Sequence, residues 1–195
     1  GEILTNNHVI RGASTIKVVL PGTGRSYTAT VVGYSVSSDV AVLQLRGASN
    51  LKTVSIGRSS ALKVGQTVTA VGNAGGTGTI VSATGTVTAL GRSITVGDDQ
   101  GGSESLTGLI ETNAQLEAGD SGGPLVNAAG KVVGIDTAAS VSGGFREVAA
   151  ADGYAIPIDT ALAVAQRIED GNASATVHVG GTAFLGVTVL SPDAA

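Results

Sequence analysis

Apolar and polar positions alternate along this chain in short, repeatedly interrupted runs, the pattern of brief strands joined by turns. Residues 3–10 begin as a strand and pass into a polar Asn6-Asn7-His8 turn. Residues 15–20 alternate as a half-buried strand should, 21–24 (Pro-Gly-Thr-Gly) form a hairpin turn, and 27–34 are the returning strand. Residues 40–45 are apolar enough to lie inside, and 47–51 connect to a second unit. In that unit 66–72 are a strand, 73–78 a glycine-rich loop, and 79–90 and 92–96 a pair of long strands. Residues 109–113 and 124–126 flank a glycine turn, a tight turn at 128–130 precedes a strand over 131–136, and 154–157 are a last short strand. Two polar segments, 97–105 and 138–152, are expected as flexible loops.

Only residues 158–169 carry a long helical pattern, with Leu162, Val164, Ala165 and Ile168 near helical spacing and Asp159 placed to cap the start. Residues 171–182 are rich in Gly, Ala, Ser and Thr and are expected as a linker, and a further strand begins at 183. Two runs of short strands followed by one helix predict an all-β chain of two barrels or sandwiches side by side.

Composition narrows this picture. In 195 residues there are 30 glycines, and aromatics make up only 3%, so the core must be built from Val, Ile, Leu and Ala. Charged residues are sparse at 13% and the net charge is −4, which leaves no basic patch for a nucleic acid. The chain has no cysteine, which excludes disulfides, thiolate zinc sites and a cysteine nucleophile. No apolar run approaches the roughly 20 residues that span a bilayer. There is also no methionine, so residue 1 is not expected to be an initiator: the chain is expected to be processed, trimmed or cut from a longer reading frame, and any membrane attachment would come from a segment absent here.

The candidate chemistry centres on Gly119-Asp120-Ser121-Gly122-Gly123-Pro124. Glycines on both sides let a serine occupy a sharp turn with bare backbone around it. The main-chain N–H groups of Gly119 and Ser121 could then face an oxygen that becomes negative. A serine needs a base, and the base an orienting carboxylate. His8, after a strand, and Asp39, before one, supply both residue types in the order His, Asp, Ser, one of the known chain orders for such a triad. Taken singly, each has a plainer explanation: a turn histidine, a capping aspartate, a simple turn or a phosphate nest. A nest normally opens a helix, however, and Pro124-Leu125-Val126 opens a strand.

Leu4-Thr5-Asn6-Asn7-His8-Val9, Ser38-Asp39-Val40-Ala41-Val42-Leu43 and Gly119 to Val126 resemble the three catalytic blocks of the HtrA/Deg-type serine proteases. Val133-Gly134-Ile135-Asp136-Thr137 and Gly153-Tyr154-Ala155-Ile156-Pro157 are similar to two further blocks. The resemblance covers residues 1 to about 170 and implies a chymotrypsin-like double β-barrel with a C-terminal helix. It divides the chain into a partial first barrel (1–52), a second barrel with the helix (53–170), the linker (171–182) and the opening of a PDZ domain (183–195). The first barrel is expected to be incomplete, because relatives carry strands ahead of the block holding His8.

The same resemblance implies a serine endopeptidase that hydrolyses unfolded or misfolded polypeptides, with catalytic His8, Asp39 and Ser121, an oxyanion hole at Gly119 and Ser121, and no cofactor or metal. The alternative is an inactive fragment or a chaperone-like peptide binder. A homotrimer of the full-length protein and an extracytoplasmic location are implied as well. By resemblance the substrate pocket is lined by Gln115, Ile135, Asp136, Thr137 and Ala138. Gln115 stands where a trypsin-like pocket carries a carboxylate, so a small or mid-sized aliphatic residue is expected before the cleaved bond. Strand alternation leaves Asp136 facing either into or out of that pocket. Asp120 is expected to hydrogen-bond within the serine loop, because Gly1 lies too near His8 to supply a pairing amine. The loops 97–105 and 138–152 match the family's regulatory loops, while His178 and the Asn172-Ala173-Ser174 sequon are read as a solvated side chain and a chance match.

Overall fold

The computed structural model describes residues 1–97, 103–137 and 153–180. The first part of the chain makes four strands: β1 (Glu2–Thr5), β2 (Ile16–Val19), β3 (Ser26–Ser35) and β4 (Val40–Leu45). A single helical turn, α1 (Asn7–Ile10), follows β1. The hairpin between β2 and β3 closes at the Pro-Gly-Thr-Gly stretch, where Leu20 and Arg25 are bonded across the turn. β4 pairs antiparallel with β3 on one side and with β1 on the other, running from Glu2 opposite Gln44 to Thr5 opposite Ala41. That register brings the chain beyond Thr5 alongside the residues that precede Val40. His8 and Asp39 are brought together by it.

The second part contributes β5 (Thr67–Gly72), β6 (Val81–Gly97), β7 (Ser103–Thr112), β8 (Pro124–Asn127), β9 (Val132–Thr137) and β10 (Gly153–Pro157). They close into a barrel in the order β10-β7-β6-β5-β8-β9. The expected pair of long strands is instead one continuous strand, β6, whose first part pairs with β5 and whose second part pairs with β7. Gly91, at φ +72°, lies where the register with β7 shifts between Leu90 and Arg92, so it makes a bulge and not a reversal.

The helix forms where its pattern predicts, as α2 (Ile158–Glu169). Its buried face is Ile158, Ala161, Val164, Ala165 and Ile168, whereas Leu162 is exposed. Asp159 does not cap its own helix. Its carboxylate accepts the Ser60 N–H at 2.9 Å and its N–H donates to Ser59 Oγ at 3.1 Å, tying the helix start to a 3-10 turn at Ser59–Ala61. Beyond the helix, in the stretch expected as a linker, β11 (His178–Val179) returns to pair with β3, and Val177 is buried. His178 is exposed yet stacks on Tyr34, with ring centroids 4.7 Å apart. The PDZ-like stretch from 183 and the loop at 138–152 lie outside the described residues, as do 98–102.

With β11 the first sheet has five strands. A core cluster of Val40 and Val42 from β4, Leu106 and Leu109 from β7, Ile135 from β9, Ile156 from β10 and the buried face of α2 joins that sheet to the barrel. A second cluster, of Val68, Ala70, Val87, Ile110, Leu125, Val133 and Ala155 among others, fills the barrel. Burying Val, Ile and Leu in this way is worth about 1.5–3 kcal/mol per side chain relative to exposure. No helix among the described residues is long and apolar enough to cross a membrane.

Candidate active site

His8 is the second residue of α1, a turn whose own N-cap residue, Asn6, makes no capping bond. The cap comes from elsewhere: Asp39 Oδ1 accepts the His8 main-chain N–H at 2.9 Å. The other oxygen, Oδ2, lies 2.7 Å from His8 Nδ1. One carboxylate thus fixes both the backbone and the ring of the same histidine. With Nδ1–H donating to Asp39, Nε2 carries the ring's basic lone pair. The imidazole is 41% exposed while the Asp39 side chain is 3% exposed, so the ring faces the surface over a buried anchor.

Asp39 itself is held in the left-handed region, at φ +50°, at the end of the β3–β4 turn. Aspartate tolerates that conformation better than most residues. Its N–H donates to Val36 O at 3.0 Å, its carbonyl accepts Asn6 Nδ2 at 3.0 Å, and Thr137 Oγ1 makes a long contact to Oδ2 at 3.5 Å. Asn6 is fully buried. In sequence Asn6 stands in a polar turn and in the block around His8, and no local pattern marks it as the brace behind Asp39.

Ser121 lies on the turn between β7 and β8, half-buried. Gly122, at φ +82°, lies directly against Thr5 Oγ1 at the end of β1, where a β-carbon would collide with it. This contact packs the serine turn onto the segment that leads into His8. Gly119, at φ +104°, lies equally close to the carbonyl of Asn73. The carbonyls of Ala118 and Gly119 accept the N–H groups of Gly75 at 2.8 Å and Asn73 at 3.3 Å. In a trans peptide the N–H points opposite to the C=O. The Gly119 N–H therefore points away from the 73–76 loop. That loop was legible as glycine-rich, but its role in orienting the turn was not.

Asp120 bonds within its own loop: Oδ2 accepts the Glu117 N–H at 2.9 Å. The Gly1 end lies by Gln44 and Ala48, where β1 meets β4. Of the five residues expected to line a substrate pocket, Ala138 lies outside the described residues and the other four sit in different surroundings. Gln115 is exposed. Ile135 is buried in the core between sheet and barrel. Thr137 is turned toward Asp39. Asp136 is wholly buried, its carboxyl group close enough to Asp120 and Val71 for both to perturb it. Successive side chains in β9 point to opposite faces, so Asp136 and Thr137 face opposite sides of the strand. Among the described residues no three His, Asp or Glu side chains gather as a metal site.

A family model described as a trypsin-like peptidase domain matches residues 1–135. The chain is 41% identical over 168 residues to the putative serine protease HhoB of Synechocystis sp., covering 86% of this chain and 38% of that protein. It is 42% identical over 174 residues to a probable periplasmic serine endoprotease, DegP-like, of Hahella chejuensis, covering 89% and 34% respectively. The chain thus spans little more than a third of the length of these curated relatives. Among solved structures, the HtrA-type protease AlgW with a decapeptide superposes with a TM-score of 0.73 at 36% identity, over 88% of this chain and 49% of that one.

Proposed function

Because the chain belongs to the trypsin-like peptidases, grouping there with the HtrA-type serine proteases, we propose that it is a serine endopeptidase working through Ser121, His8 and Asp39. The observation that carries this reading is the double engagement of His8 by Asp39, at 2.9 Å to the main chain and 2.7 Å to the ring, with the Ser121 turn packed on the same segment through Gly122 and Thr5.

In the proposed cycle His8 Nε2 takes the Ser121 hydroxyl proton as Oγ attacks the scissile carbonyl carbon. Asp39 stabilises the imidazolium and keeps the ring from turning. The oxygen of the tetrahedral intermediate takes the negative charge and accepts hydrogen bonds from the Gly119 and Ser121 N–H groups. The imidazolium then returns its proton to the leaving amine, the C–N bond breaks, and an acyl group is left on Ser121. Water repeats the sequence, with His8 again the base, and frees the acid product. Fixed donors aimed at that oxygen are worth about 3–4 kcal/mol each to the barrier. The antiparallel relation of the Ala118 carbonyl and the Gly119 N–H supports that assignment for Gly119.

The substrates proposed are polypeptides in extended form, in keeping with the peptide-bound relatives. An extracytoplasmic location follows the relatives named as periplasmic. Hydrolysis of misfolded proteins and assembly as a trimer are proposals for the whole protein.

Labelling with a small fluorophosphonate, followed by mass mapping, tests the reading without knowledge of substrate. An adduct on Ser121 that disappears in His8→Ala is the expected result. An adduct elsewhere, or unchanged labelling in His8→Ala, would overturn it. Failure of the wild-type chain to label while folded would favour the alternative of a non-catalytic peptide binder.

A further inference from the structure

Under the serine turn lies a pair of buried carboxyl groups that the proposed cycle does not use. Asp136, in β9, has no exposed surface, and among the described residues no donor reaches its carboxyl oxygens with full hydrogen-bond geometry, the Val71 main-chain N–H being the hydrogen-bonding group that acts on them. Asp120, the residue before the nucleophile, is 4% exposed. Its Oδ2 accepts the Glu117 N–H, but its Oδ1 lies against Gly72 with no donor. The end of β5 serves both groups: Gly72 has no side chain because Asp120 fills that space, and the Val71 amide is the dipole that acts on Asp136. Burial, and then the charge of Asp120, push the Asp136 carboxyl up to about 8, and the Val71 amide offsets this only in part.

Among the described residues no counter-charge faces Asp136 from the elements packed around it. β10 presents Ala155 opposite it, the serine turn presents Gly122 and Gly123, and β5 presents Val71 and Gly72. His8 and Asp39 lie on the other face of β9, reached by Thr137. Asp120 is the one charged neighbour among the described residues, and it has the same sign. Two carboxylates without a cation between them cannot share a dry site cheaply, and such pairs keep a proton.

The backbone makes this proton matter to Ser121. The carbonyl of Asp136 accepts the Gly122 N–H at 2.9 Å, its N–H donates to Gly123 O at 2.8 Å, and Gly123 in turn donates to Asp120 O at 2.9 Å. The two acids therefore hold the nucleophile from both sides along the chain, Asp120 just before it and Asp136 through the two residues just after it.

We propose that Asp136 is a positioning residue that works as the neutral acid: its proton lets the two carboxyl groups lie together beneath the turn, and losing it drives them apart and displaces Ser121. The consequence is an alkaline limit on reactivity that does not come from His8.

The test has two arms. The activity arm, which rests on the serine peptidase reading, measures the fluorophosphonate labelling rate of Ser121 from about pH 6 to about pH 10. If only the protonated form is competent, the wild-type rate falls by about tenfold per pH unit above the midpoint. Asp136→Asn removes the fall. A fall that persists in Asp136→Asn, or no fall in the wild type, overturns the proposal. The second arm needs no activity: carbon NMR follows the Asp136 carboxyl while amide NMR follows Gly119, Gly122 and Gly123 in the same wild-type sample. A common midpoint near pH 8 is expected. An Asp136 carboxyl that titrates below about pH 6, or turn amides that ignore its titration, overturns the proposal even if Asp136→Asn does not fold. A chain that never labels but shows the common midpoint would sink the peptidase reading and leave the coupling standing.

Discussion

Gly122 lies so close to the hydroxyl of Thr5 that the two residues leave no room for a single methyl group between them. This contact joins the turn carrying Ser121, beside the barrel strands, to the end of β1, the strand that leads into the turn carrying His8. Whatever chemistry the two residues share depends on that closeness.

Gly122→Ala is accordingly expected to act twice. The new methyl group collides with Thr5, and a side chain at φ +82° is strained besides. The strain alone costs about 1–3 kcal/mol, which should appear as a lowered thermal midpoint. Fluorophosphonate labelling of Ser121 should fall by far more than the loss of folded protein accounts for. Wild-type labelling in this variant would show that the turn can leave Thr5 without consequence.

Asp39→Asn separates the two duties of that carboxylate. The amide oxygen can still accept the His8 main-chain N–H, so α1 should keep its cap. The ring loses its anionic partner at Nδ1 and can take the wrong tautomer. The turnover rate should fall by about 10⁴ while circular dichroism stays unchanged. A loss of only a few-fold in a peptide-hydrolysis assay would contradict the role given to Asp39.

Asp136 sets the direction of a stability–pH dependence. Its folded value, about 8, lies above the ordinary aspartate value of 3.8, so between those values the folded state holds a proton that the unfolded chain has released. Stability from this group is complete below about pH 4 and is lost progressively as pH rises toward and past 8. In Asp136→Asn that loss disappears, and the variant should gain on the wild type as pH increases. Chemical denaturation at pH 5 and pH 9 measures the difference; a constant gap between the two proteins would rule the shift out.

Asp159 works with the opposite sign. The Ser60 main-chain N–H, and after it the Ser60 side chain, hold its carboxyl below the usual carboxylate range. Its contribution is present above the unfolded value and is lost as pH falls through the folded one. Asp159→Asn should therefore be costlier near neutral pH than near pH 3, and the cost should be small because the group is exposed. Thermal midpoints of the variant and the wild type across that range provide the check.

Much of the architecture is written locally. The hairpin at residues 21–24, the buried run at 40–45 and the helix over Ile158–Glu169 follow from turn residues and apolar spacing, and the structure forms each of them. His8, Asp39 and Ser121 were legible as candidates because each proposed role admits few residue types. The misreadings share a cause. Residues 79–90 and 92–96 read as two paired strands because the glycine between them fits a turn and a bulge equally well, and only pairing with β7 decides between them. Asp159 was assigned to its own helix because capping is read from neighbours in sequence, whereas its partners, Ser59 and Ser60, are about 100 residues away.

The sequence by itself determined which residues could do chemistry and which backbone positions had to be bare, since those demands act within a few residues. Tertiary structure alone decided which side chains meet. Closing the barrel placed Asp136 beneath the serine turn beside Asp120, and pairing β1 with β4 set Asn6 and His8 on Asp39. Alternation says that a strand residue faces one side or the other, but not what waits there. For Asp136 that choice separates a pocket wall from a buried acid, and only the folded chain makes it.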